Sequence, residues 1–245
     1  MRKFGLIGRD ISYSFSKTYF ANKFHNEGIT NAKYLNFDIR HIEQVKPLLE
    51  NPDNCGFNVT IPYKEAIIPY LNTLSTEAQQ IGAVNTIKRN KDGGLTGYNT
   101  DYFGFTKALQ PLLQSKHKTA LILGTGGASK AVAYSLQQLN IAYKIVSRNP
   151  LNPAHFSYHD LTETIIKNHA IIINCTPLGT FPNVMAKPAI PYQYITQNHI
   201  LFDLIYNPSE TQFLRHGRAS KAQVINGWLM LKLQAEKSWS IWNSL

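Results

Sequence analysis

A glycine-rich turn between an apolar run and a helical pattern constrains this chain more than any other feature. Residues 119–123 (TALIL) have the length of a buried strand, and residues 124–129 (GTGGAS) follow them directly. Gly124 permits a tight turn, and Gly126 lets the backbone approach a pyrophosphate closely. The helix that follows offers unpaired N–H groups and the positive end of its dipole to phosphates. Ser129 stands where the third fingerprint glycine would be, and it is small enough for close helix–strand packing. The sequence therefore predicts a dinucleotide-binding βαβ unit around this turn.

The predicted βαβ unit spans Lys118–Asn149. The end of its second strand indicates which dinucleotide binds. A site selective for NAD usually carries an acidic residue about 20 positions beyond the turn. Here the strand ends in Ser147-Arg148-Asn149, and no acid is near. Arg148 offers a guanidinium fork to a 2′-phosphate, and the hydroxyl and amide beside it can also donate. The alternative is an ordinary exposed arginine at a strand end. The pattern favours NADP and predicts a nicotinamide-dependent oxidoreductase.

Composition narrows the class of protein further. The 245 residues are 43% hydrophobic and 16% charged, which is typical of a globular chain. The net charge is +10, but lysines and arginines are scattered rather than clustered, which suits small anionic ligands and disfavours nucleic acid. No apolar run could cross a membrane and no leader peptide is recognisable, so a cytoplasmic location is expected. Cys55 and Cys175 lie far apart in the sequence, and their spacing is not that of a metal site. A disulfide between them is not expected in the cytoplasm.

Strand-like runs alternate with helical patterns along most of the chain, which predicts an α/β fold with parallel sheets. A polar segment, residues 114–118, is a candidate junction between two halves. The turn 90–94 should join two strands, 83–88 and 95–99, as a hairpin. In the second half we expect helices at 160–168 and 209–216 and a last helix at 227–242. Two domains describe this pattern better than one.

Four segments in the first half place polar side chains at or near strand ends, where ligands of open α/β sheets bind. They are Ser12–Ser16, Asn58–Lys64, Gly82–Thr86 and Gly97–Asp101. Each has an ordinary alternative, since the serines, Thr100 and Asp101 could simply cap helices and a lone lysine is usually solvated. Lys64, by contrast, could serve as a cationic acid or base.

Taken together, these motifs resemble the shikimate dehydrogenase family over essentially the whole chain. The resemblance is carried by SxS at 14–16, NVTIPYK at 58–64, GAVNT at 82–86, GYNTD at 97–101, GTGGAS at 124–129, NCTPLGT at 174–180, DLIYNP at 203–208 and GWLMLKLQ at 227–234. It implies an N-terminal α/β substrate-binding domain, a Rossmann-type NADP-binding domain with a parallel sheet, and a cleft between them. We expect the substrate domain at 1–101, the NADP domain at 102–226, and a C-terminal helix at 227–245 that returns to the substrate domain.

The resemblance also implies an activity and a set of site residues. The activity is the NADP-linked reversible reduction of 3-dehydroshikimate to shikimate, a step of chorismate and aromatic amino-acid biosynthesis. Lys64 and Asp101 would form the catalytic pair, with the proton-transferring member left open. The residues implied in substrate binding are Ser14, Ser16, Asn58, Thr60, Asn85, Tyr206 and Gln234. The residues implied in cofactor binding are Gly124, Thr125, Gly126, Gly127, Ala128, Ser129, Ser147, Arg148, Asn149, Thr176, Leu204, Gly227 and Met230. No metal is implied, and the chain would act as a monomer or a homodimer on small molecules, without nucleic acid or membrane.

Two alternatives stay open at this point. One is a quinate/shikimate dehydrogenase that accepts further substrates or NAD, since one extra hydroxyl is read by pocket geometry. The other is a non-catalytic NADP-binding regulator, against which the intact Lys64 and Asp101 argue.

The chain also departs from the family pattern: the prolines often found around the serine motif are absent, and Ser147-Arg148-Asn149 replaces a common Asn-Arg-Thr. The second departure leaves the strength of the NADP preference open.

Overall fold

The computed structural model describes residues 1–12, 14–150 and 152–244. The chain divides into two compact units. Unit 1 comprises Met1–Thr100 together with the segment from Ala235 on, and unit 2 comprises Asp101–Gln234. Both units are mixed α/β, which confirms the predicted fold class.

Unit 1 is built on a six-stranded sheet with the order β2-β1-β3-β5-β6-β4. The strands are β1 (Arg2–Gly8), β2 (Ala32–Asp38), β3 (Asn54–Val59), β4 (Thr73–Leu74), β5 (Thr86–Arg89) and β6 (Leu95–Tyr98). Its helices are α1 (Phe15–Asn26), α2 (Lys46–Glu50) and α3 (Thr76–Ile81), with 3-10 turns at Ile42–Val45 and Ile68–Tyr70. β1 pairs in parallel with β2 and β3, whereas β5 pairs antiparallel with β3 and β6. The sheet is therefore mixed, and the predicted hairpin joins β5 to β6.

Successive side chains of β1 point to opposite faces of this sheet, and an apolar cluster covers each face. Ile7 belongs to one apolar cluster, while Phe4 and Leu6 belong to the other. Trp242, near the C-terminus, covers the second face and donates its indole N–H to the Ile87 carbonyl at 2.9 Å. A Cβ on Gly56 would lie 2.4 Å from that indole nitrogen, so this close approach requires glycine at position 56.

Unit 2 contains a six-stranded, wholly parallel sheet with the order β12-β11-β10-β7-β8-β9. The strands are β7 (Thr119–Leu123), β8 (Ala142–Ser147), β9 (Phe156–Ser157), β10 (Ile171–Asn174), β11 (Ile200–Asp203) and β12 (Gln223–Ile225). The helices are α4 (Asp101–Leu109), α5 (Gly127–Gln138), α6 (Glu163–Asn168), α7 (Gln212–Ala219) and the part of α8 (Trp228–Asn243) up to Gln234, with short 3-10 turns at Gln110–Leu112, Tyr158–Asp160 and Tyr192–Tyr194. The strand order reverses between β7 and β10, which makes the carboxyl ends of these two strands the expected ligand-binding edge of a Rossmann fold.

Several predicted boundaries were wrong by three residues, for local reasons. Helices α6 and α7 begin at Glu163 and Gln212 because the Thr162 and Thr211 side chains cap them, accepting from the N–H groups of Ile165 and Leu214. The strand predicted from Ala83 begins instead at Thr86. Just before this strand, the Val84 N–H donates to the Lys64 carbonyl instead of to a residue on a neighbouring strand.

Helix α8 belongs to both compact units. Its residues up to Gln234 lie in unit 2, where Met230 packs into the apolar core, and its residues from Ala235 on lie in unit 1. The chain thus passes back to unit 1 within this helix, eight residues beyond Gly227.

None of the helices in the described parts of the chain combines the length and apolar character that a membrane span needs.

Candidate active site

The turn after β7 has the backbone geometry that the glycine pattern predicts. Gly124 has φ +108°, in the left-handed region that favours glycine. A Cβ there would lie 3.1 Å from Cγ2 of Thr176 and 3.4 Å from the Cys175 backbone. Residues that follow β7 and β10 therefore approach each other closely at the edge where the strand order reverses.

The N-terminus of α5 leaves room for a ligand. Gly126 caps this 12-residue helix, and a Cβ added to it would meet nothing within 4 Å. Ser129 is buried and its hydroxyl donates to the Gly126 carbonyl at 2.6 Å, which stabilises the turn. The first N–H groups of a helix have no partner within it, so those at Gly127 and Ala128 suit an anion. Residues at this position fit the pyrophosphate of a dinucleotide.

Arg148 lies at the same edge, directly after β8. Leu123 and Val146 are paired in the parallel ladder, so the residues that follow each of them emerge side by side. Arg148 and Asn149 are exposed and Ser147 is half-buried. Burial raises the pKa of Tyr158, and the positive charge of Arg148 opposes that shift. An exposed guanidinium at this edge suits the adenosine end of a cofactor.

A buried polar network holds the loops that follow β10 and β11. Asn174 donates to Asp203 Oδ1 at 3.0 Å, and its own Oδ1 accepts from both the N–H and the hydroxyl of Thr176. Asp203 also accepts from the Ile205 N–H and from the Thr211 hydroxyl. Burial raises the pKa of the Asp203 carboxyl to about 6, although these three donors oppose the shift. The network fixes Thr176 at the ligand-binding edge.

Leu204 and Gly227 are in direct contact. A Cβ on Gly227 would lie 2.1 Å from the Leu204 carbonyl oxygen, and the Gly227 N–H donates to the Ile205 carbonyl at 3.0 Å. Met230, one turn later, is 7% exposed and packs in the core of unit 2. The structure thus brings Leu204 and Gly227 together, and it places Met230 in the apolar core of unit 2.

Gln234 and the beginning of α4 lie on adjacent helices. The backbone at Gly104 approaches α8 so closely that a Cβ would lie 2.5 Å from the Met230 carbonyl and 3.2 Å from the Gln234 Cβ. Asp101 is the first residue of α4, one turn before Gly104, and both Asp101 and Gln234 are buried. Tyr206 is half-buried in the loop after β11.

In unit 1 the two serines begin α1. Ser14 caps the helix, and its hydroxyl accepts from the Ser16 N–H at 3.2 Å. Ser14 therefore has the capping role that its sequence position allows. Tyr34, on β2, is buried, and burial raises its pKa well above its usual range.

Asn58 and Asn85 belong to one buried network. The amide nitrogen of Asn58 lies 2.9 to 3.3 Å from Ser238 Oγ, Thr86 Oγ1 and the Asn85 carbonyl, and its oxygen accepts from Tyr34. The Asn85 Oδ1 accepts from the Thr100 N–H at 2.6 Å. The residue immediately before Asp101 is thus fixed by Asn85.

Thr60 and Lys64 flank the turn after β3. The Thr60 N–H donates to Ile7 at 2.9 Å and its carbonyl accepts from Tyr63, while the Lys64 carbonyl accepts from Val84 at 2.7 Å. These bonds bring the segment 58–64 beside the segment 82–86. Lys64 is half-buried.

Comparison with known proteins agrees with this geometry. Residues 6–87 match the family model described as the shikimate dehydrogenase substrate binding domain. A shikimate dehydrogenase (NADP(+)) from Clostridium botulinum is 37% identical over 248 residues, which cover 97% of this chain and 95% of the relative. The chain belongs to the shikimate dehydrogenase family.

Solved structures of the family have the same fold. The shikimate 5-dehydrogenase of Thermus thermophilus, in complex with NADP(H) and shikimate, is 29% identical, with a TM-score of 0.88 over 100% of this chain and 94% of that one. The quinate dehydrogenase of Corynebacterium glutamicum, in complex with NAD, is 25% identical, with the same TM-score and coverage. The fold is therefore shared by proteins named for either substrate, and it does not by itself select one.

Sequence reasoning assigned no role to Tyr34, Asn174, Asp203 or Thr211. A signal was available for two of them, because Asn174 and Asp203 are polar residues that end apolar strands. Among the described residues, no group of three or more His, Cys, Asp or Glu side chains is placed to hold a metal ion. The two cysteines are unpaired, and burial raises the pKa of the Cys175 thiol.

Proposed function

We propose that this chain is an NADP-dependent shikimate dehydrogenase, which reversibly reduces 3-dehydroshikimate to shikimate. The observation that carries the proposal is the convergence of the segments 58–64 and 82–86 in unit 1. The Val84–Lys64 backbone bond and the Asn58–Asn85 contact join a lysine to a group of buried amides and hydroxyls. Such a set suits a small polyol, because buried polar groups reject analogues that lack the matching hydroxyl.

NADP binding is proposed for unit 2. The open space at Gly126, the free N–H groups of α5 and the exposed Arg148 fit a dinucleotide with a 2′-phosphate. When bound, NADPH supplies the hydride that reaches the ketone carbon. The residues proposed to contact it are Gly124 to Ser129, Ser147 to Asn149, Thr176, Leu204, Gly227 and Met230. Thr176 is oriented by Asn174, and Gly227 lies against Leu204.

We propose that Lys64 and Asp101 perform the proton transfer. In the reducing direction the Lys64 ammonium donates a proton to the oxygen of the ketone as its carbon is reduced. The Asp101 carboxylate orients the ammonium and the substrate, and the lysine regains its proton from solvent. General acid catalysis of this kind contributes about 10²–10⁴ in rate.

The remaining polar residues are proposed to bind the substrate. Ser14 and Ser16 would bind the carboxylate, and Tyr206 would cover the pocket. Asn58, Thr60, Asn85, Asp101 and Gln234 would bind ring hydroxyls. Because protein acceptors surround the Asn58 amide nitrogen, its contact with the substrate would use the second lone pair of Oδ1. We place the reaction in the cytoplasm, performed by a monomer or a homodimer.

Spectrophotometry of the purified chain tests this function directly. We expect NADPH to form when shikimate and NADP are both present, and the product to be 3-dehydroshikimate by mass spectrometry. Cofactor binding without any shikimate-dependent NADPH formation would instead favour the non-catalytic regulator.

A further inference from the structure

Strand β2 carries a row of polar side chains that the proposed function does not use. Tyr34, Asn36 and Asp38 alternate along the strand, so their side chains lie on one face of the sheet. β2 is an edge strand. Each of the three hydrogen-bonds either Asn58 or a backbone group shortly before the Ser14–Ser16 segment.

Asn36 and Asp38 hydrogen-bond the backbone shortly before the two serines. Both oxygens of Asp38 accept backbone N–H groups, from Asp10 at 2.9 Å and from Ile11 at 3.2 Å. Asn36 donates its amide to the Ile11 carbonyl at 3.0 Å, and the Ser14 N–H donates to the same carbonyl at 3.0 Å. Asp10 has φ +57°, in the left-handed region that non-glycine residues uncommonly adopt. These bonds maintain that turn.

Tyr34 hydrogen-bonds one of the buried amides. Its hydroxyl donates to Asn58 Oδ1 at 2.8 Å. The amide nitrogen of Asn58 has acceptors of its own in Thr86 and Ser238, so the bond from Tyr34 completes the set that orients this amide. Tyr34 thereby fixes the orientation of Asn58.

We propose that Tyr34, Asn36 and Asp38 are positioning residues that hold the Ser14–Ser16 segment and Asn58 ready for the substrate. This inference rests on the proposed function, since it takes shikimate as the ligand of that segment. The row acts through the serines and Asn58 and touches neither the cofactor nor the reacting carbon. Its removal should therefore weaken substrate binding and leave the chemical step and cofactor binding nearly unchanged.

Steady-state kinetics of Tyr34→Phe and Asp38→Ala test the inference. Loss of a hydrogen bond of ordinary strength corresponds to about a 10-fold rise in KM for shikimate, with kcat within about 3-fold and KM for NADP unchanged. For the Asp38→Ala variant the rise should be smaller with shikimate methyl ester, which lacks the carboxylate charge. Tyr192→Phe is the matched control, because the Tyr192 hydroxyl donates to the Pro188 carbonyl at 2.9 Å within unit 2. It should leave KM for shikimate unchanged.

The outcomes separate this inference from the function on which it rests. Wild-type protein that oxidises shikimate, with an unchanged KM in both Tyr34→Phe and Asp38→Ala, would overturn the inference alone. Equal rises in KM for shikimate and for NADP would also overturn it, since they would indicate a general loss of structure. Wild-type protein without shikimate oxidation would overturn the proposed function, and the inference with it.

Discussion

Asn174 and Asp203 face each other at paired positions of β10 and β11, with the amide nitrogen of one 3.0 Å from a carboxylate oxygen of the other. Both side chains are fully buried. Because the Asn174 oxygen accepts from Thr176, the pair connects a buried carboxyl to a loop at the proposed cofactor site. A polar group at such a depth is stable only when its partners are in place.

The raised pKa of Asp203, about 6, predicts a pH-dependent stability. A carboxyl whose pKa is higher in the folded state favours folding below about pH 4, and this contribution is lost as pH rises through 6. The loss is about 3 kcal/mol for a buried group shifted from 3.8 to about 6. In Asp203→Asn the amide can donate to Thr211 Oγ1 while its oxygen keeps the Asn174 and Ile205 donors, so the fold should persist.

Urea unfolding of wild type and Asp203→Asn between pH 4 and pH 8 checks this prediction. The stability of the variant relative to wild type should rise by about 3 kcal/mol over this range. Asp160→Asn is the control: its carboxyl is exposed, and hydrogen bonds from Ser157 lower its pKa, so its effect on stability changes mainly below about pH 4 and its difference curve should be flat from about pH 5 to pH 8. If the difference in unfolding free energy between Asp203→Asn and wild type did not change with pH, burial of the Asp203 charge would carry no energetic cost.

Lys64→Ala should reduce kcat by about 10²–10⁴ with a much smaller change in KM for shikimate. The reason is that the variant lacks the ammonium proposed to donate the proton, while the amides and hydroxyls that bind the substrate remain. Lys91→Ala, in the exposed turn between β5 and β6, is the matched lysine control and should behave as wild type. If Lys64→Ala changed only KM, Lys64 would be a binding residue and not the proton donor.

Arg148→Ala should raise KM for NADP by about 10- to 100-fold and leave KM for NAD unchanged. This magnitude corresponds to the loss of one or two charge-assisted hydrogen bonds to the 2′-phosphate, which NAD lacks. Arg218→Ala removes an exposed arginine that pairs with Glu210, and it serves as the control. Equal losses with both cofactors would argue against a contact between Arg148 and the 2′-phosphate.

Gly126→Ala separates ligand effects from folding effects. A Cβ at this position meets no atom of the other described residues within 4 Å, its two chain neighbours aside, and φ is −75°, so stability should change by no more than about 1 kcal/mol. The same methyl group would occupy the space proposed for the pyrophosphate, which NADP and NAD share. We therefore expect KM to rise for both cofactors while the melting temperature stays nearly constant. Unchanged KM values would place the pyrophosphate elsewhere.

Local sequence signals predicted much of the fold because their causes are local. The turn at Gly124 requires glycine, and the hairpin at residues 90–94 has turn-forming residues between two apolar runs. β4 and β9, by contrast, were not predicted. Each has two residues, too few to show a period, and is a strand only because of its pairing with β6 or β8.

The missed site residues are defined by contacts between segments that are far apart in sequence. Tyr34 reaches Asn58 across 24 positions, and Asn174 reaches Asp203 across 29. Nothing beside Tyr34 in the sequence distinguishes it from a tyrosine packed in a core. The family motifs could indicate Asn58, but the tyrosine that donates to it is identified only by the register of β2, β1 and β3.

Initial rates with shikimate and with quinate, each with NADP and with NAD, decide whether the chain is an NADP-dependent shikimate dehydrogenase. All four combinations are measured on the same purified protein over a range of substrate concentrations. We predict that kcat/KM is highest for shikimate with NADP and falls when either partner is replaced. Equal or higher kcat/KM for quinate with NAD would contradict this account and identify the chain as a quinate/shikimate dehydrogenase of broader specificity.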